Sequence, residues 1–115
     1  MITLKQIKTT TEQVFDLEAG SLESPSRKVG ITDGRHAYWL AAVYFGFKQT
    51  NAATTIQRHH ASAYNSITRC LHLCQSEPGY KKRVIELLNN LKPYEKTEKN
   101  RASVTLFRCA VDAVL

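Results

Sequence analysis

Thr50-Asn51-Ala52-Ala53-Thr54-Thr55-Ile56-Gln57-Arg58-His59-His60-Ala61-Ser62 is the stretch on which the reading of this chain turns. Residues 50–57 read as a short helix, with Thr50 or Asn51 placed to cap it. A long helix starts near His60 and carries Ala63, Ile67, Cys70, Leu71 and Cys74 at three- and four-residue spacings. Gln57–His59 is left as a tight connection between them. Two helices joined so closely are a helix-turn-helix candidate, a unit whose second helix presents its first residues to the major groove of DNA.

Charge points the same way. The 115 residues carry a net charge of +6, yet no Asp or Glu lies between Asp33 and Glu77. That interval holds all of the histidines, His36, His59, His60 and His72, together with Arg35, Lys48, Arg58 and Arg69. A surface cleared of carboxylates suits a polyanion, because each carboxylate facing a phosphate would repel it.

Outward from the centre, the chain continues as helices. Residues 3–15 place Leu4, Ile7, Thr11, Val14 and Phe15 on one face, and Gly20, Ser21, Ser24, Pro25 and Ser26 then break the pattern into a loop, with room for a short helix around Leu17–Leu22. Thr32 or Asp33 is placed to cap a helix whose apolar face runs Ala37, Leu40, Ala41, Tyr44 and Phe45, with Gly46 as its stop. Pro78 suits the first turn of a helix carrying Val84, Leu87, Leu88 and Leu91, which Lys92-Pro93 ends. Residues 94–102 are charged and expected to be exposed, and a last helix carries Val104, Phe107, Val111 and Leu115. No run alternates with period two and no hairpin turn appears. The expected fold is all-α: a small multi-helix domain over residues 1–92, followed by a polar connection and a C-terminal helix over 93–115 that packs on it. That last helix either closes the core or, over 103–115, offers a surface to a protein partner or a second copy.

The residues at the start of the second helix fit DNA contact. Arg58 pairs with guanine or phosphate, His59 and His60 donate to acceptors, the Ala61 methyl meets a thymine methyl, and the Ser62 hydroxyl bonds either kind of partner.

From Ile7 to Arg35 a further pattern appears: Ile7, Phe15, Leu22, then Ser24-Pro25-Ser26-Arg27-Lys28, Ile31 and Arg35, ahead of a helix rich in Ala, Leu and aromatics. With Arg58-His59-His60-Ala61-Ser62 downstream, the chain resembles, over roughly residues 7–91, the C-terminal DNA-binding domain of the bacterial replication initiator DnaA. The resemblance implies that Arg35 reaches the minor groove, that His60 and Ser62 read bases in the major groove, and that Arg27 and Lys28 lie near the DNA backbone. Lys48 is added as a phosphate contact on its charge. His59 stands where that family has Asp, Ala61 where it has Thr, and Ile56-Gln57 where it has Gly-Gly. The family's usual target sequence therefore does not carry over. No G-x-x-x-x-G-K-[ST] phosphate loop is present, so the initiator's ATPase is missing.

Other chemistries find little in the sequence. Cys70, His72 and Cys74 have no second ligand pair to complete a metal site, so the cysteines are expected in the core, Cys109 with them. Ser62 and Ser66 have no nearby carboxylate for a triad, and nothing in the sequence brings Asp33 and Glu77 together. Tyr38-Trp39 and Tyr44-Phe45-Phe47 are expected in the core rather than stacked on single-stranded bases. The expectation is a sequence-selective double-stranded DNA-binding protein of a bacterial cytoplasm, with a replication-related or regulatory role, no enzyme activity, no cofactor, no metal and no membrane segment. The alternative is a protein-interaction module on the same fold without DNA readout.

Overall fold

The computed structural model describes residues 2–95 and 102–115, and the described residues are helical, with no strand. The helices are α1 (Leu4–Val14), α2 (Val29–Tyr44), α3 (Gln49–Thr55), α4 (Ser62–Ser76), α5 (Pro78–Leu91) and α6 (Ala102–Val114), with a 3₁₀ turn at Lys92–Tyr94. Most of the charged stretch 94–102 lies outside the described residues, as does the side chain of Val104.

α2 is the centre. Its residues Ala37, Tyr38, Trp39, Leu40, Ala41, Ala42 and Tyr44 are all buried, so it is apolar around most of its circumference rather than along the single stripe expected from the sequence. α1, α3, α4, α5 and α6 all pack against it. Small residues at 37, 41 and 42 let neighbours approach closely, and the aromatic rings fill the space between. Three tyrosine hydroxyls then fix α2 to its neighbours. Tyr38 donates to the Ala52 carbonyl of α3 at 2.8 Å. Tyr44 bonds Asp112 of α6 at 3.1 Å, and Tyr80 of α5 donates to the Asp33 carbonyl at 2.9 Å. A buried phenol needs such a partner, which makes each bond a constraint on helix placement. The aromatic residues of α2 are thus core, and Tyr38 and Trp39 are closed to nucleic-acid bases.

The first three helices end in the same way. In each, one residue takes a left-handed backbone just past the helix: Asp16 at φ 55°, Gly46 at φ 88° and Gln57 at φ 54°. The next N–H then reaches back five residues, Leu17 to Glu12, Phe47 to Ala42 and Arg58 to Ala53, at 2.8, 3.0 and 2.9 Å. These are Schellman closures, and they satisfy carbonyls that the helix leaves without partners. The sequence marked only Gly46, because glycine is the residue that enters this region without a steric cost.

Several boundaries differ from expectation. α2 begins at Val29, with Lys28 before it and no side-chain cap, instead of at Thr32 or Asp33. The chain turns helical as soon as it leaves the anchored loop that precedes it. Residues 17–22 form turns rather than a short helix. There the Glu12 carboxylate, only 3% exposed, accepts from the Gly20 and Leu22 N–H groups at 2.9 and 3.3 Å, which uses the local donors that a helix would have needed. Cys70 and Cys74 are buried as expected, but Cys109 is exposed, because α6 turns Val111 inward and Cys109 outward. α6 is held at Tyr44, whose ring lies 4.4 Å from the Arg108 guanidinium, and Arg108 pairs with Glu95 at 2.6 and 3.0 Å. No helix of the described residues is long and apolar enough to cross a membrane.

The closures give a test of local strain. Gln57→Gly removes the left-handed penalty and should raise the unfolding free energy by about 1 kcal/mol, whereas Gly46→Ala should lower it by a similar amount. Denaturant midpoints of the two variants, moving in opposite directions from the parent, are the expected result.

Candidate nucleic-acid interface

α3 packs on α2, and the connection 56–61 carries the chain from it into α4. His59, His60, Ala61 and Ser62 are all exposed there. The two imidazoles stack, with ring centres 4.6 Å apart and planes at 24°. His59 Nδ1 accepts the Ala61 N–H at 3.1 Å. α4 starts after Ala61 without a side-chain cap, and the His59 ring instead fixes the connection just ahead of it.

Arg58 is half-buried and points backward. Its guanidinium donates to the Ser24 carbonyl at 2.5 Å. Arg35 is buried and converges on the same place: it donates to the Leu22 carbonyl at 2.8 Å, to the Ser26 carbonyl at 2.7 Å, and to Ser24 as well. Two guanidinium groups thus share the Ser24 carbonyl, and burial, then the charge of Arg58, lowers the pKa of Arg35. The placement of Arg35 in a minor groove, implied by the resemblance, differs from what is found. Its donors are spent on three carbonyls of the 22–26 loop, where no water competes as strongly as it would on an exposed arm.

The latch has a spatial consequence. It fastens the loop carrying Arg27 and Lys28 beside the connection carrying His59 to Ser62, and both basic residues are exposed. Lys48 is exposed too, but it stands at the far end of α3 from Arg58. Of the residues singled out from sequence, then, Arg27, Lys28, His59, His60, Ala61 and Ser62 are brought to one region and exposed. Arg35 and Arg58 hold that region together from beneath.

Sequence reasoning missed the rest of the outer face of α4. Ala63, Ser66, Cys70, Leu73 and Cys74 are its buried residues, while Ile67 and Leu71, expected on the inner face, are only partly covered. The opposite arc exposes Ser62, Tyr64, Asn65, Arg69 and His72, with Thr68 partly exposed, and Tyr64 is 75% exposed. The signal was present in the helical phase of Ala63, Cys70 and Cys74: residues diametrically opposite them are those of this arc.

His36, on α2, sits in the same positive surroundings. Burial first, then Arg69 and Arg35, holds its imidazole below the usual histidine range, and its buried Nδ1 has no hydrogen-bond partner. Asp33 and Glu77 do come together, in a cleft of about 210 Å³ that Phe15, Gly30, Tyr80 and Arg83 complete. Burial and the Glu77 charge raise the pKa of Asp33 there, against the opposing pull of Arg69. Among the described residues no group of three or more His, Cys, Asp or Glu is placed to hold a metal ion.

No protein family, curated protein or solved structure matches the chain in comparison with known proteins.

Two measurements test this arrangement. Arg35→Ala deletes the buried latch and should lower stability by about 2–4 kcal/mol, in the absence of any DNA. An unchanged melting temperature would return Arg35 to the status of a free surface arm. His36 is neutral in the folded state and takes up its proton more readily when unfolded. Its depressed value therefore gives stability that is present above pH 6.5 and is lost as pH falls from there through the folded value. Asp33, with its raised value, acts in the opposite direction and at lower pH, as pH rises above 3.8. Thermal melts between pH 7.5 and 5.5 should show a falling midpoint, and His36→Gln should flatten that fall.

Proposed function

We propose that this chain is a sequence-selective double-stranded DNA-binding module, in which α3 and α4 act as a helix-turn-helix and α4 enters the major groove. The observation that carries this reading is the outer arc of α4. It is solvent-facing, free of carboxylates from its first residue to Ser76, and rich in groups that bond base edges. The helix-turn-helix role is supported by a short α3 held firmly on the core and a longer α4 whose start is left open.

In this reading His60 and Ser62 contact base edges, Ala61 offers its methyl to thymine, and His59 offers the ring nitrogen that Ala61 does not engage. Arg27 and Lys28 hold phosphates on one side, and Lys48 reaches the DNA backbone from the start of α3. Arg58 and Arg35 act as positioning residues: they set the distance between the loop and the reading helix, and they add positive potential beneath both. Such contacts divide the labour in the usual way, with phosphate contacts setting affinity and register and base contacts setting selectivity.

Kinship with the C-terminal DNA-binding domain of DnaA is part of the proposal. It is supported by the matching residues of the two segments and by the contact that joins the Ser-Pro-Ser-Arg-Lys loop to Arg58 of the Arg-His-His-Ala-Ser segment. With His59 for Asp and Ala61 for Thr, an acceptor and a hydroxyl are gone, so the preferred site differs from that family's. A replication-related or regulatory role in a bacterial cytoplasm fits a module of this kind.

A second reading, as a protein-interaction module, is favoured by one feature: α6 exposes Leu106 (72%), Cys109, Ala110 and Ala113 at spacings of three and four.

Gel-shift or anisotropy titrations over a salt series separate the two. Duplex binding should weaken with a log–log slope on the order of −3, one unit for each of Arg27, Lys28 and Lys48. Arg27→Ala should flatten that slope by about one unit on every sequence, whereas His60→Ala should keep it and lose discrimination at one or two base pairs. Absence of duplex binding at low salt, with a protein retained in pull-down, would favour the interaction module.

A further inference from the structure

We infer that Asn65 is a specificity-determining residue of the α4 face, and that the DNA site this protein prefers contains an adenine read by its side-chain amide. The inference rests on the DNA-binding reading above and adds a base identity to it.

The first observation is position. With 100° per residue, Ala61, Asn65, Thr68 and His72 form the crest of the exposed arc of α4, while Ser62 and Arg69 flank it on one side and Tyr64 on the other. The crest is the part of a recognition helix that enters the groove most deeply, and its N-terminal turns carry the base contacts. Asn65 lies about 4.5 Å along the axis from Ser62, close to the step between adjacent base pairs. A helix that brings Ser62 to one pair therefore brings Asn65 to a neighbouring one.

The second observation is chemistry. Along that crest Asn65 is the side chain whose donor and acceptor stand side by side on one planar amide, whereas the two ring nitrogens of His72 point apart. Adenine presents N7 as an acceptor and the N6 amino group as a donor in the major groove, and the asparagine amide matches both at once. Guanine offers two acceptors at the same positions and leaves the amide oxygen unpaired. Ala61 and Thr68, one turn to either side, supply methyl groups, which suit the thymine methyl that accompanies an adenine on the opposite strand.

The third observation is what Asn65 does not do for the fold. Asn is a weak helix former, because its amide competes for the backbone. Four short polar side chains in the helices bond back to a carbonyl four residues earlier: Thr11 to Ile7, Thr54 to Thr50, Thr55 to Asn51 and Ser76 to His72, at 2.7 to 3.2 Å. The Asn65 side chain makes no hydrogen bond among the described residues and is exposed. Neither capping nor packing explains an amide in the first turns of this helix. The arginines cannot take the same role at this end of the face, since Arg58 and Arg35 are held on the Ser24 carbonyl.

Selection from a random duplex library, run in parallel with the parent chain and Asn65→Ala, tests the assignment. The parent should select a motif with an invariant adenine, and replacing that A·T pair should weaken binding by roughly 5- to 150-fold. Asn65→Ala should fold at or slightly above the parent's melting temperature, lose the preference at that position and retain it elsewhere. A variant that keeps every preference would overturn the inference, and so would one that weakens all duplexes equally, since that marks a phosphate contact. A parent chain that binds no duplex at low salt would remove the DNA-binding reading and this assignment with it. That outcome is distinguishable, because it needs no variant.

Discussion

Two positively charged side chains meet on one backbone oxygen. Arg35 from α2 and Arg58 from the α3–α4 connection both donate to the carbonyl of Ser24, and no carboxylate takes part in the junction. Three pieces of chain, otherwise far apart in sequence, are joined there. Like charges brought together at a partly buried point repel each other, and only carbonyl dipoles oppose that repulsion. The fold tolerates this because Arg35 gains three acceptors, and because the carboxylates beside the loop, Glu12 and Glu23, are engaged by Lys8. Positive potential is therefore stored beneath the exposed histidines rather than neutralised, which is what a surface for polyanions requires.

The rest of the architecture keeps this junction in place. α2 runs through the centre with its aromatic rings buried, and tyrosine hydroxyls on or against it reach α3, α5 and α6. Such bonds act in a low-dielectric interior where an unpaired phenol would be costly, so each one selects a helix position rather than merely adding to cohesion. α3 illustrates the point. At seven residues it is too short to persist alone, yet Tyr38 holds its Ala52 carbonyl and its C-terminal closure feeds straight into Arg58. The geometry of the outer α4 face is in this way inherited from the core.

Much of this was legible in the sequence, for identifiable reasons. The helices are signalled by apolar spacing, and Pro78 and Gly46 act at helix ends through fixed backbone preferences. The exposure of His59 to Ser62 follows from their polarity at a helix start. What sequence reasoning missed depends on contacts across the chain. Arg35 reads as a free basic side chain until the 22–26 loop is seen folded against it. Asp16 and Gln57 give no hint of a left-handed backbone, because their closures are stabilised by bonds rather than by residue type. Asp33 and Glu77 share a cleft only because α2 and α5 are pinned together through Tyr80. The outer face of α4 is legible in the same spacing, since Asn65 and His72 lie opposite Ala63, Cys70 and Cys74 on the helix.

The polar anchoring of residues 20–26 runs mainly through main-chain atoms, with Glu12 on N–H groups and Arg35 and Arg58 on carbonyl oxygens, beside the buried Leu22 side chain and the Glu23–Lys8 pair. Every amino acid offers those atoms. The side chains of Arg27 and Lys28 project from a framework indifferent to their identity, so substitutions there alter what the surface meets without loosening the segment that carries it. Descendants of such a chain have wide mutational latitude at the rim and almost none at the three residues that grip it.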